Sequence, residues 1–169
     1  MKLILHNKEF NEEMFCKIAE AYNQVCQNEY ERVDIYLSSD GGFVSISEAI
    51  LSLINSDAER FSIVAYNKIK SCAFSFFIKA NCPKVLLENT TGMYHQGYWD
   101  ISINDKGKTI YESENFNLKQ AREVGYPQDL KFIKQCQFNN KETKKFIQGK
   151  DVYFSYHRLL EITANYDKN

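Results

Sequence analysis

Three short segments carry residue types whose spacing suits acyl-transfer chemistry. The first is Gly41-Gly42, which follows the apolar run Val33 to Leu37 and precedes a stretch of helical spacing. Adjacent glycines allow positive φ and let a ligand approach bare N–H groups. A helix starting just after them aims its positive end at the same point, which suits an anion: a phosphate, or the oxyanion of an acyl-transfer intermediate. The plain alternative is turn geometry at a strand-to-helix junction. A phosphate site would need G-x-x-x-x-G-K-[ST] or G-x-G-x-x-G, and the chain has neither. Dinucleotides and nucleoside triphosphates are therefore not expected.

The second segment is Lys70-Ser71-Cys72-Ala73, at the entry to an apolar helix. Ser71 fits two roles. It can cap the helix, or it can be a nucleophile whose developing negative charge the helix end favours, with the Cys72 N–H directed at an oxyanion. The third segment is Gly92-Met93-Tyr94-His95-Gln96-Gly97; His95 is one of only 3 histidines, with His6 and His157. A lone histidine is ordinarily structural. It gains meaning as a general base only if a serine comes within hydrogen-bond reach.

The elements around these residues alternate. Leu3 to Leu5 reads as a strand, and Asn11 to Asn28 as a helix with apolar positions at Met14, Ile18, Tyr22 and Val25. Asn11 is its expected N-cap, with Glu12 and Glu13 in the first turn. Strands at Val33 to Leu37 and Phe61 to Tyr66 alternate with helices at Phe43 to Ile54 and Ser71 to Ala80. Short strands follow at Val85 to Leu87 and Gly92 to Tyr94. This order predicts an α/β fold with a largely parallel sheet. Farther on, Trp99 to Tyr111 reads as a hairpin around Asn104-Asp105-Lys106-Gly107. Helices are expected at Asn117 to Glu123, Gln128 to Phe138 and Lys141 to Gln148, the last closed by Gly149. A short extended piece, Asp151 to Phe154, precedes a final helix from Tyr156.

Composition narrows the function classes. The chain has 169 residues, 44% hydrophobic and 25% charged, with a net charge of -1, so no basic excess argues for nucleic acid. The lysines at 141, 144, 145 and 150 are read as a solvated helix face. No apolar run has membrane-spanning length, and the N-terminus lacks the pattern of a secretory signal. The 5 cysteines are scattered without a C-x-x-C pair, which argues against a zinc site and for buried free thiols in a reducing, cytoplasmic compartment.

Taken in order, these segments resemble the Clp protease proteolytic subunit and its crotonase-fold relatives. Ile35 to Gly42 corresponds to a strand that ends in Asn-Ser-Pro-Gly-Gly in that family. Lys70-Ser71-Cys72-Ala73-Phe74 falls where the family has Ala-Ser-Met-Gly-Ala, and Met93-Tyr94-His95-Gln96 where it has Met-Ile-His-Gln. Asp151-Val152-Tyr153-Phe154-Ser155 is similar to its Asp-Arg-Phe-Leu-Ser segment.

The resemblance implies a repeated β-β-α spiral core over residues 1–98 and 150–169, with a helical handle over 99–149, all in one domain. It implies Ser71 as nucleophile, His95 as base and Asp151 as the third member. The N–H groups of Gly41, Gly42 and Cys72 would form the oxyanion hole, with no cofactor and no metal. It further implies a serine endopeptidase acting on unfolded or loop segments, a homo-oligomeric ring, and a phage origin with capsid processing as the role. Neither nucleic acid nor membrane is an expected partner. Docking of an ATP-driven unfoldase is not expected either, since the family's extended N-terminal segment has no counterpart before Met1.

Three departures stand against activity. Asp40 takes the place of the family's proline, and Lys70 that of a small residue. The interval from Ser71 to His95 is one residue short, so a shifted register would put Lys70 at the nucleophile position. An inactive relative serving as a structural or assembly protein is the second reading these residues allow. A crotonase-type enzyme acting on acyl thioesters is the third.

Overall fold

The computed structural model describes residues 1–27, 31–96, 102–103, 109–110 and 126–168. Strands β1 (Lys2–His6), β2 (Val33–Ser39) and β3 (Phe61–Lys70) lie side by side and parallel. Val33, Ile35 and Leu37 are fully buried while Asp34 and Tyr36 between them are not, the period of a strand with one covered face. The covering layer is α1 (Glu12–Val25), α2 (Val44–Ser56) and α3 (Cys72–Lys79), whose buried side chains join those of the sheet in one core. On the other face Ile4, Tyr36, Val64 and Val85 form a cross-strand row in register, with Ile4 65% and Val85 51% exposed.

β3 is longer than its apolar run suggests. The register with β2 slips between Leu37, paired with Ala65, and Ser39, paired with Ile69. Asn67 sits in the slip with φ 60°, a conformation Asn tolerates better than most residues. The polar residues Asn67 and Lys68 interrupt the pattern in sequence, but the strand resumes and reaches Lys70.

Beyond the slip, β3 exchanges neighbours. Its first half pairs with β4 (Lys84–Leu86) and its last residues with β5 (Thr91–Tyr94), both parallel. β5 then pairs antiparallel with β8 (Val152–Phe154), Tyr94 opposite Val152, so the chain positions just beyond that pair are His95 and Asp151. β6 (Ser102–Ile103) and β7 (Thr109–Ile110) pair antiparallel, as a hairpin requires. The rest of the expected hairpin and the helix expected at Asn117 to Glu123 lie outside the described residues.

Helix α4 (Tyr126–Gln135) starts and stops earlier than the apolar spacing predicts. Gln137 takes φ 52°, and Gln137 N and Phe138 N donate back to Lys134 O and Ile133 O, closing the helix end before Phe138. Helix α5 (Asn140–Ile147) carries a complete capping box from Asn139 and Glu142. It ends at Gly149, whose φ is 69°. Lys141, Lys144, Lys145 and Lys150 are all exposed, as a solvated face requires.

Glu142 does more than cap. It holds Arg158 on α6 (Tyr156–Tyr166) through a bidentate pair, 2.9 and 2.8 Å, with both side chains largely out of solvent. The expectation of buried thiols is corrected in part: Cys72, Cys82 and Cys136 are buried, but Cys16 and Cys26 lie exposed on α1 and at its end. No described helix is long and apolar enough to cross a membrane.

Asn11 caps α1 as its position in sequence suggests, its side chain accepting from Met14 N at 3.0 Å. Asn11→Ala is expected to lower the unfolding free energy by about 1 kcal/mol, read as a shifted midpoint at unchanged slope in urea denaturation.

Candidate active site

β3 runs directly into α3 at Ser71, and the junction is sharp. Ser71 has φ 53° and ψ −128°, outside the regions open to a residue with a Cβ. Such backbone costs on the order of 1–3 kcal/mol and persists only where its surroundings over-determine it. Here Ser71 N donates to Met93 O of β5 at 2.9 Å, and Phe74 N to Ser71 O at 3.1 Å. Ser71 makes no side-chain capping bond to α3, so the simple N-cap role does not apply. Instead its Oγ lies 2.7 Å from His95 Nε2. The two residues between which the short interval leaves the register open have different partners. Ser71 meets the histidine, while Lys70 turns its ammonium to Asp40 at 2.9 Å.

His95 leaves the end of β5 and is mostly buried. The residue before it, Tyr94, anchors the strand end. Tyr94 stacks on Phe146 at 5.5 Å, packs against Phe74 and Phe132, and donates its hydroxyl to Asp129 Oδ1 at 2.7 Å. Burial pushes the Asp129 carboxyl up from its ordinary range, and the Tyr94 hydroxyl and Lys79 act against that shift. Burial also lowers the His95 pKa from the ordinary 6.5, and the nearby charges of Asp151 and Asp129 only partly oppose it. A neutral imidazole is the form that can accept a proton from a serine.

Asp151 precedes β8, opposite His95 across the antiparallel pair. Its Oδ1 is 4.0 Å from His95 Nδ1, in charge contact but longer than a hydrogen bond. Its Oδ2 accepts from the hydroxyl of Tyr153 at 3.1 Å.

The glycine turn reaches the same place from β2. A Cβ on Gly41, whose φ is 117°, would come within 2.7 Å of Ser71 Cβ, so only glycine lets this turn lie against the serine. Gly42 packs as tightly on the other strand connection: its Cβ would meet Phe10 N at 2.5 Å. Phe10 N donates to Gly41 O, and Phe43 N to Phe10 O, both at 2.8 Å. These bonds leave the Gly42 N–H out of the pairing. The Gly41 N–H is used internally, on Ser39 Oγ at 3.1 Å. Cys72 opens α3, where an N–H has no acceptor within the helix.

Several residues at the site were not singled out in sequence. Lys68 and Asp129 lie outside the segments quoted above, and their partners Asp40 and Tyr94 are remote in the chain. Tyr94 and Tyr153 lie within those segments but had no role of their own there. Asp40 stands where the resembled family has proline. It is paired with both Lys68 and Lys70, which hold its carboxyl below the usual range, the Lys68 contact being the larger cause. The two substitutions that argued against activity thus neutralise one another. Among the described residues no group of three or more His, Cys, Asp or Glu converges as metal ligands would.

A strained serine at a strand-to-helix elbow, a histidine against its hydroxyl and a carboxylate 4.0 Å from that histidine thus lie together at one edge of an α/β sheet. No protein-family model matches the sequence, and no curated protein does. Solved structures do match. One is ClpP1 N165D mutant from Listeria monocytogenes, at 14% identity over 96% of this chain and 86% of that one, TM-score 0.69. Another is a peptidase from Plasmodium falciparum, at 13% identity over 96% of this chain and 91% of that one, TM-score 0.65. The fold is therefore the α/β fold of Clp-type peptidases. At such identities the likeness says nothing of the chemistry, which rests on the residues.

The low basicity of His95 can be tested directly. Its NMR titration midpoint is expected below 6.5, and Asp151→Asn should lower it further, because the carboxylate raises it. The unfolded chain then binds this proton more tightly than the folded one. The contribution of His95 to stability is accordingly present above 6.5 and lost as pH falls through the lowered folded value. An unchanged midpoint in Asp151→Asn would show that the two groups do not sense each other.

Proposed function

We propose that this chain is a serine endopeptidase of the Clp-like type, with Ser71 as nucleophile, His95 as general base and Asp151 as the residue that orients the imidazole. The single observation that carries the reading is the 2.7 Å approach of Ser71 Oγ to His95 Nε2 at a strained backbone elbow. A capping or surface serine has no need of that strain.

In the proposed reaction Ser71 Oγ attacks the carbonyl carbon of a peptide bond as its proton passes to His95 Nε2. The tetrahedral oxyanion is held by the N–H groups of Gly42 and Cys72. The Gly41 N–H, already bonded to Ser39 Oγ, is left to shape the turn. Each such donor is worth roughly 3–4 kcal/mol to the transition state where it has been measured. Collapse breaks the C–N bond, His95 gives its proton to the leaving amine, and water then hydrolyses the acyl-enzyme with the same histidine as base. Asp151 stabilises the imidazolium from the Nδ1 side. For this it closes the present 4.0 Å to hydrogen-bond length, a tightening that substrate-bound sites commonly show.

The resemblance to the Clp peptidase supplies the rest of the proposal. It comprises a single domain with the handle over 99–149, a homo-oligomeric ring, unfolded or loop segments as substrate, and a cytoplasmic setting, with capsid processing in a phage as the particular case. The 4.0 Å gap between His95 and Asp151 is the one observation that favours the second reading, an inactive relative kept for assembly.

A fluorophosphonate probe decides between the two. Labelling is expected at Ser71, mapped by mass spectrometry, and Ser71→Ala should reduce cleavage of an unstructured protein by on the order of 10⁴-fold or more while leaving the fold intact. No adduct where a control peptidase reacts would overturn the enzyme reading. Mass photometry is expected to give a multiple of the 19.8 kDa chain mass, and a monomer at micromolar concentration would remove the ring.

A further inference from the structure

The turn that carries Gly41 and Gly42 is not attached to β3 by the sheet. Regular pairing between β2 and β3 breaks at the slip after Leu37, resumes only as Ser39 opposite Ile69, and goes no farther. Past Ser39 the backbone bonds of the turn run to Phe10, on the segment between β1 and α1, and none runs to the strand that ends in Ser71. Yet Gly41 must lie against Ser71 so closely that a Cβ would collide at 2.7 Å. Something other than the ladder holds the two together.

The residue before Gly41 is Asp40 and the residue before Ser71 is Lys70, and these two are ion-paired at 2.9 Å. Lys68 takes the other carboxylate oxygen. Lys68 and Lys70 lie on either side of buried Ile69, so both rise from the same face of β3. The slip at Asn67 sets that face, and the Asn67 side chain ties back to Ser38 Oγ at 3.3 Å. Both lysines are more than half covered although Asp40 is 52% exposed, so the two cations are held beside the carboxylate with restricted freedom. The low pKa of Asp40 agrees with a carboxylate charged throughout the neutral range. Two ammonium groups on one carboxylate also leave the rim with a net positive charge, which does not oppose an anion formed at Ser71.

We infer that Asp40, Lys68 and Lys70 form an electrostatic clamp that fixes the Gly41-Gly42 turn against Ser71, making Asp40 a positioning residue for the reaction proposed above. It touches neither substrate nor the reacting atoms. It acts by holding the Gly42 N–H in place relative to the Cys72 N–H and to the serine. The clamp's role in catalysis rests on the serine-hydrolase reading, but the clamp itself is a statement about the turn and can be measured without activity.

Asp40→Asn keeps the size of the side chain and removes the charge; Lys68→Met with Lys70→Met removes the other half. Amide exchange over residues 39–43 is expected to rise about tenfold in either variant, with α1 and α2 unchanged, and to rise no further when the two are combined. The rate of fluorophosphonate labelling at Ser71 should fall about tenfold in parallel, and kcat should fall with KM nearly constant, as a displaced oxyanion donor requires. Unchanged exchange in Asp40→Asn would overturn the clamp whatever the labelling does. Raised exchange with labelling as fast as in the parent would overturn its positioning role. A parent protein that never labels at Ser71 would sink the peptidase reading, and the exchange data would still judge the clamp.

Discussion

A serine held at φ 53° and ψ −128° is the constraint around which the rest of the site is arranged. The conformation throws Oγ off the end of β3 toward β5, where an ordinary helical or extended serine would direct it elsewhere. It is unfavourable by itself, so its neighbours must hold it from several sides. β5 supplies the acceptor for Ser71 N, α3 begins on Ser71 O, and the glycine turn closes the remaining side. The β3 slip is part of the same arrangement, because it lets β3 pair first with β4 and then with β5, the strand that brings His95.

Two kinds of interaction support this geometry. The histidine side is apolar: Phe74, on the first turns of α3, stacks on Phe154 of β8 at 5.1 Å and packs against Tyr94 of β5 at 5.4 Å. One ring thus links the helix after Ser71 to the strand before His95 and the strand after Asp151. Its burial ties the relative positions of Ser71, His95 and Asp151 to core packing, whose density resists small displacements. The glycine-turn side is polar and nearer to solvent, and there ion pairs do the holding. Ion pairs at half-exposed sites contribute little to global stability. They can nonetheless fix a local geometry when both partners are already close to their places.

The burial that holds His95 also sets its protonation. An imidazole withdrawn from water resists charging, and the carboxylates of Asp151 and Asp129 offset only part of that effect. A neutral imidazole is the form able to accept a proton from a neighbouring hydroxyl. The antiparallel β5–β8 pair sets Asp151 opposite His95, its Oδ1 4.0 Å from Nδ1.

Much of this was legible in sequence because it is local. The alternation at Val33 to Leu37, the cap at Asn11, the glycines at 41, 42 and 149, and the spacing of α2 and α3 each express a preference within a few residues, and strands and helices formed where those preferences agree. The elbow at Ser71 was legible only as a strand-to-helix junction, since nothing local distinguishes a strained nucleophile from a capping serine. The end of β3 was missed because Asn67 and Lys68 look like a loop. They extend a strand only because β5 is there to pair with it. Asp40 and Lys70 looked like damage for the same reason: each is an isolated charge in sequence, and only the parallel packing of β2 and β3 brings them within 2.9 Å. The sequence by itself determined which segments are strands and helices and which residue types could do chemistry. Tertiary structure alone decided which serine meets the histidine, how buried that histidine is and which charges cancel, because distance and desolvation are set between segments far apart in the chain.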